Sequence, residues 1–175
     1  VAQFGQHEHV EVRQGSGLKV LSPGEADCIA IAGMGASTII SILEDDTEVA
    51  RSAELLVLQP MAGAASLRAW LCSHGWQLAA EELVDDAPHF YEIIAAKRGL
   101  APVYSAAECA VGPLLLAQKH PLLGKQLERQ LATCRQLLEN MGRSERARAS
   151  EKYKEIEALK AELEVLQNGK RSDSK

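Results

Sequence analysis

The chain has 175 residues, 46% hydrophobic and 25% charged, with a net charge of −5, the composition of a soluble globular domain with an appendage. No apolar run approaches the roughly 20 residues of a membrane span, nothing reads as a secretory leader, and the four cysteines, Cys28, Cys72, Cys109 and Cys134, form no CxxC pair of a zinc site. A membrane span, an exported protein and a zinc module are therefore not expected, and the cysteines read as reduced, mostly buried thiols of a cytoplasmic protein.

In chain order, residues 9–14, HVEVRQ, alternate as a short β-like run that GSGL breaks. ADCIAIAG is a nearly continuous apolar run bounded by glycine, as in a strand buried on both faces. ASTIISILEDD follows with Ile39, Ile40, Ile42 and Leu43 at helical spacing, and AELLVLQP is a second buried-type strand, stopped by Pro60. GAASLRAWLCSHG reads as a helix whose Leu67, Trp70 and Leu71 share a face, with Gly75 as its cap glycine. Strands alternating with helices indicate a parallel, doubly wound sheet. WQLAAEELVDD and FYEIIAAKRG are joined only by APH, too short a link for a helical crossover, so this pair is expected to be antiparallel. A parallel sheet ending in an antiparallel strand is the arrangement of class I methyltransferases; at this level the comparison is one of fold alone.

From about residue 113 the period changes. Leu123, Leu127, Leu131, Cys134, Leu138 and Met141 follow 3-4 spacing, as do Ile156, Leu159, Leu163 and Leu166, with Gly142 and Ser144 as stop and start signals. Two amphipathic helices in an antiparallel hairpin are expected over 113–168, behind an α/β unit over 1–112, with a frayed polar tail over 169–175. The charge is split in the same way. Residues 1–100 hold 6 Lys+Arg against 14 Asp+Glu, residues 101–175 hold 13 against 10, and nine basic but four acidic residues lie between Lys119 and Lys154. That asymmetry suits a polyanionic partner for the second half, or simply a solvated helical surface.

The run IAGMGAST raises the functional question. A dinucleotide loop requires G-x-G-x-x-G and an acidic residue ending the next strand; here Thr38 takes the third glycine position and the next strand ends on Gln59-Pro60. There is no P-loop, and the residues before the glycines are Ala30, Ile31 and Ala32 rather than an acid. Two readings stay open: a tight strand-to-helix turn with no ligand, or backbone freed of Cβ atoms so that a flat ring or a reactive methyl can lie against it.

Taken together, VEVRQGSGLKVL, IAGMGASTIISIL, LLVLQP, LRAWL…HGW, EELVDD and FYEII resemble, in order and spacing, the bacterial tRNA (adenine-N1)-methyltransferases that modify adenine 22 of tRNA. The resemblance runs from about Val10 into the helical C-terminus. It implies a class I, Rossmann-like α/β methyltransferase fold with a C-terminal coiled-coil hairpin, S-adenosyl-L-methionine as cofactor, no metal, and tRNA as partner. By the same resemblance QGSG ends the third strand of the family's sheet, so Gly15, Ser16 and Gly17 border the donor. Ala32, Gly33, Met34 and Gly35 line the junction of donor and acceptor. Gln59 and Pro60 form the neighbouring wall. The sequence departs from the family pattern at Ser16, where an acidic residue is expected, and at Ala36 and Met61. It also begins just before the third strand, so an N-terminally incomplete sheet is expected, its edge covered by a preceding segment or by a second copy.

Adenine N1 carries a free lone pair and needs no general base, so catalysis would rest on alignment in a water-poor pocket after the base leaves its stack. Gln59 and Glu92 are chemically suited to the Watson–Crick edge. Tyr91 reads equally as a stacking residue or a sheet residue. Arg143, Arg146 and Arg148 in the hairpin turn are the phosphate candidates. Arg68 reads as a phosphate contact or a surface ion pair, His7 and His9 as solvated, His74 as facing water or a helix carbonyl, and Asp45-Asp46 and Asp85-Asp86 as turn residues. Besides the enzyme, two further readings remain: a tRNA-binding module that has lost the donor site, and an unrelated nucleotide-binding α/β protein with a coiled-coil arm.

Overall fold

A computed structural model describes residues 10–172. His7, His9 and residues 173–175 lie outside the described residues. Four strands and eight helices follow in the order β1 (Cys28–Gly35), α1 (Ala36–Asp45), α2 (Thr47–Ser52), β2 (Leu55–Ala62), α3 (Ala64–Ser73), β3 (Trp76–Asp86), β4 (His89–Arg98), α4 (Ala106–Val111), α5 (Pro113–Ala117), α6 (Leu123–Met141), α7 (Glu145–Arg148) and α8 (Glu151–Ser172).

The sheet order is β1-β2-β4-β3. β1 and β2 are parallel, as two buried runs separated by a helix must be, while β4 runs antiparallel to both β2 and β3. The short link between β3 and β4 therefore does what its length predicts. On one face Ile29, Leu56, Ala96 and Leu78 lie in register, followed by Ile31, Leu58 and Ile94. These residues join Ile39 and Leu43 of α1 and Leu67 and Leu71 of α3 in the main core. On the other face Cys28, Ala30 and Ala32 are exposed, and Leu55, Val57, Ile93 and Ala95 are partly exposed. Among the described residues β1 has no second neighbour, so one of its edges is open.

Four expectations need correction. The ADCIAIAG strand is not buried on both faces: Ile29 and Ile31 are buried, but Cys28, Ala30 and Ala32, which alternate with them, are exposed. Residues 10–14 form no strand: an alternating pattern makes a strand only where a neighbour accepts its ladder bonds, and here Arg13 instead donates to Glu11 at 2.8 Å and to the Val20 carbonyl at 3.0 Å, and pairs with Glu25. GSGL is accordingly a turn, with Gly17 at φ +58° and Lys19 N–H bonded to the Ser16 carbonyl at 3.2 Å, and not the end of a strand. Pro60 does not stop β2, which continues to Ala62; the proline is tolerated because the β4 pairing ends at Leu58.

The hairpin forms as its spacing predicts. Leu123, Leu127, Leu131 and Cys134 of α6 and Ile156 and Leu163 of α8 are buried against one another. Gly142 caps α6 and Ser144 opens the short α7, its hydroxyl accepting from Ala147 N–H. This second core also takes Leu83 from β3 and Ala107 and Val111 from α4. α8 continues to Ser172, into the segment expected to fray. Of the cysteines, Cys109 and Cys134 are buried and Cys72 half-buried, but Cys28 is exposed on the open side of β1. Burial pushes the thiols of Cys72, Cys109 and Cys134 up from their ordinary value, which keeps them protonated and unreactive.

Candidate active site at the end of β1

The parallel register of β1 and β2 slips at the glycine loop. Ala32 lies opposite Gln59 and Met34 opposite Pro60, while Gly35 lies opposite Ala62. Gly33 is thus an extra residue without a ladder partner, a bulge at the carboxyl end of a strand. It sits at φ +76°, and a Cβ added there would meet nothing within 4 Å. Glycine is required at 33 by the backbone, and the space beside it is open. Gly35 has ordinary extended geometry and starts α1 as its N-cap. Gly63, at φ +77°, lets the turn after β2 approach the start of α1, since a Cβ there would be 3.0 Å from that of Ala36.

The unpaired Gly33 N–H donates to the Gln59 side-chain Oε1 at 2.9 Å, and the Gln59 Nε2 lies 3.6 Å from the Met61 sulfur. Met34 and Met61 are both exposed, at 41% and 56%. Next to the bulge a cavity of about 490 Å³ runs along β1, lined by Gly17, Leu18, Ala32, Met34 and Ile42 among others.

The predicted donor residues are partly brought together. Gly17, Ala32 and Met34 line the cavity; Gly33 and Gly35 lie beside it, and Gly15 and Ser16 are exposed without lining it. A Cβ at Gly15 would strike Val20 Cγ1, so this glycine serves the turn itself.

The predicted acceptor residues divide between the two faces of the sheet. Gln59, opposite Ala32, and Tyr91, opposite Val84, share the open face. Tyr91 is half-buried, its ring 5.8 Å from that of His89. Pro60 is buried. Glu92 is on the helix-covered face, where its carboxylate accepts from Arg68 Nη2 at 2.9 Å. Arg68 is wholly buried, so neither the phosphate contact nor the surface ion pair applies. It also donates to Glu81 at 2.5 Å and to the Cys109 carbonyl at 2.9 Å, and the second oxygen of Glu81 accepts from Leu114 N–H at 2.8 Å. His74 faces a helix carbonyl, that of Trp70, at 2.8 Å and stacks on the Trp70 ring.

Arg143, Arg146 and Arg148 are all exposed at the hairpin turn. Arg143 has only a loose 3.8 Å approach to Glu139. Sequence reasoning missed a second basic group: Arg129 and Lys125 of α6 lie over the Phe90 ring at 4.4 and 5.5 Å, and Lys125 pairs with Asp85 at 2.5 Å. It also missed His120, which meets Glu82 at 2.5 Å; that bond and the Leu83 N–H hold the Glu82 carboxyl below its usual range. Neither contact has a signature in spacing, because each joins the strand pair to the hairpin across the fold. Among the described residues no His, Cys, Asp and Glu cluster could hold a metal, and no helix is long and apolar enough to cross a membrane.

The profile of one family, tRNA (adenine(22)-N(1))-methyltransferase, matches residues 1–168. The chain belongs to that family. The Bacillus subtilis tRNA (adenine(22)-N(1))-methyltransferase is 31% identical over 171 residues, 95% of this chain and 71% of the relative. The crystal structure of the B. subtilis m1A22 tRNA methyltransferase superposes with a TM-score of 0.80 at 29% identity, covering 95% of this chain and 74% of that one. A Streptococcus pneumoniae structure in complex with S-adenosyl-L-methionine superposes at 0.75 with 26% identity, over 95% and 74%. The mixed sheet and helical hairpin are thus the family's Rossmann-like methyltransferase fold.

The family's cofactor can be tested against the residues present. The cavity of about 490 Å³ runs along β1, the edge strand of the sheet. Its glycine, alanine and aliphatic walls suit only the flat, weakly polar parts of S-adenosyl-L-methionine, and among the described residues no charged side chain lines it to meet the ribose, carboxylate or ammonium group. The open space beside Gly33 leaves room for a reacting methyl at the rim.

Proposed function

We propose that the polypeptide carrying this sequence methylates N1 of adenine 22 in tRNA, in the cytoplasm, and that donor and base meet at the Gly33 bulge. The observation that carries the reading is that bulge: a left-handed glycine with open space beside it, at the carboxyl end of a parallel strand and next to the cavity. Gly17, Ala32 and Met34 would hold the donor. When bound, S-adenosyl-L-methionine supplies a methyl group on a positively charged sulfur.

The chain's own task is to bring a purine edge to that methyl and to keep water away. The N1 lone pair lies in the ring plane and is unprotonated at neutral pH, so positioning does the work that a base does elsewhere. Met34 and Met61 offer a soft rim that adapts to a flat ring, and Tyr91, on the same face as Gln59, offers an aromatic surface. Glu92 is left out of this reading, since its carboxylate accepts from Arg68 on the helix-covered face. Arg143, Arg146 and Arg148, exposed at the far turn, would hold phosphates of the tRNA body.

The test is methyl transfer from labelled S-adenosyl-L-methionine to a tRNA transcript, read by nuclease digestion and mass spectrometry. One-methyladenosine should appear at position 22 and should vanish on an A22-to-G transcript. Label that persists on that control, or no label on either transcript, would overturn the reading.

A further inference from the structure

Gln59 looks at first like a base-reading residue: a neutral amide beside a cavity rim. Its bonding says otherwise. The side-chain oxygen already accepts the Gly33 N–H at 2.9 Å, and the amide nitrogen faces the Met61 sulfur at 3.6 Å. An N–H donor can be met only by the amide oxygen, so the orientation of the side chain follows from the contact.

The backbone shows why this bond exists. The register passes from Ala32–Gln59 directly to Met34–Pro60, leaving Gly33 with no main-chain acceptor among the described residues, and Pro60 has no N–H with which to continue the ladder. Gly33 at φ +76° has no side chain to limit its conformations, and nothing packs within 4 Å of where one would be. On the side where a Cβ would stand, no packing contact from the described residues holds the bulge. The group that meets the Gly33 N–H is the Gln59 carboxamide, carried one residue beyond the last β2–β4 pair and opposite Ala32 of β1.

We infer that Gln59 is a positioning residue: by accepting the Gly33 N–H it holds the bulge in its left-handed form, keeps Ala32 and Met34 at the cavity wall, and is thereby withdrawn from contact with the base. This rests on the reading that the bulge borders the donor. Gln59→Glu keeps an acceptor for Gly33 but loses the amide donor that a base-reading role would use. Gln59→Leu and Gln59→Met keep the bulk and lose the oxygen.

The experiment is amide hydrogen exchange followed residue by residue by NMR on the uniformly nitrogen-15-labelled chain, together with calorimetric binding of S-adenosyl-L-homocysteine. In Gln59→Leu and Gln59→Met, Gly33 should exchange about tenfold faster, the effect of removing one hydrogen bond, while the amides of Ile31 and Leu58 keep their protection. Affinity for S-adenosyl-L-homocysteine should fall about tenfold in both variants and stay within about threefold of wild type in Gln59→Glu. Unchanged exchange in the Leu and Met variants, a Glu variant that behaves like them, or faster exchange without weaker binding would each overturn the inference. If the wild-type chain itself binds no S-adenosyl-L-homocysteine while Gln59→Leu and Gln59→Met still exchange faster at Gly33, the assignment of the donor site is overturned and the hold on Gly33 stands.

Discussion

The Arg68 guanidinium donates to the Glu81 carboxylate at 2.5 Å with both side chains fully removed from water. The same guanidinium reaches Glu92 and the Cys109 carbonyl, and Glu81 reaches Leu114 N–H, so one cation joins α3, β3, β4 and the α4–α5 junction. A buried charge that loses its partner keeps its desolvation cost without compensation. Replacing Arg68 by Met should therefore destabilise the fold by about 3–5 kcal/mol in denaturant unfolding. A double-mutant cycle of Arg68→Met with Glu81→Gln should show strong non-additivity.

Two glycines of positive φ should respond differently to alanine. At Gly33 the Cβ would meet open space, so Gly33→Ala should cost about 1–2 kcal/mol for the left-handed backbone alone. At Gly112, φ +110°, the Cβ would lie 2.5 Å from Leu115 Cδ1 and 3.2 Å from Arg68 Nη2. Gly112→Ala should cost about 2–4 kcal/mol, by strain and overpacking together. Thermal and denaturant unfolding of the two variants give the comparison. Only Gly33→Ala should weaken S-adenosyl-L-homocysteine binding more than its loss of stability explains.

Replacing Arg143, Arg146 and Arg148 together by Gln should leave the unfolding midpoint unchanged, because all three are exposed. The slope of log affinity for tRNA against log salt should become shallower, by about 0.7–0.9 for each phosphate that is no longer neutralised. An unchanged slope would exclude this turn as the tRNA contact.

The Glu82 carboxyl is held low by the hydrogen bond from His120 and then by the Leu83 N–H. A depressed folded-state value means stabilisation present above the unfolded carboxyl range and lost as pH falls through the folded value. Wild type should therefore lose stability relative to Glu82→Gln on acidification below about pH 4.5. Thermal melts of the two between about pH 6 and pH 3 check the sign. Glu82 is 58% exposed, so water screens the effect and the difference will be small.

Much of this architecture is written in local pattern. The apolar runs of β1 and β2 mark neighbouring strands, although one face of β1 stays exposed, the APH link allows only an antiparallel pair, and the 3-4 spacing from Leu123 and from Ile156 meets its match in one hairpin. Residues 10–14 misled because alternation signals a strand only where the segment docks on a partner edge, and here Arg13 is tied instead to Glu11, Glu25 and the Val20 carbonyl. Arg68 misled for a subtler reason. Trp76 and Leu78 point inward at even positions, but the register slip between Leu78 and Ala80 moves the inward set to Glu81 and Leu83. Without that bulge Glu81 would face outward and Arg68 would have no reason to be buried. The site was half legible for the same kind of reason. The glycines announce a turn, but the slip that frees Gly33 N–H, and the side chain that catches it, belong to two strands at once.

The hairpin, finally, is no detachable handle. Leu83 of the sheet is buried among its leucines and Phe90 packs against them, while the Leu114 amide satisfies the innermost carboxylate of the catalytic half. Severing the chain after Gly112 would strip a strand pair of its cover and leave Glu81 one bond short. Sheet and hairpin thus share one set of buried contacts, and a change in either is felt by the other.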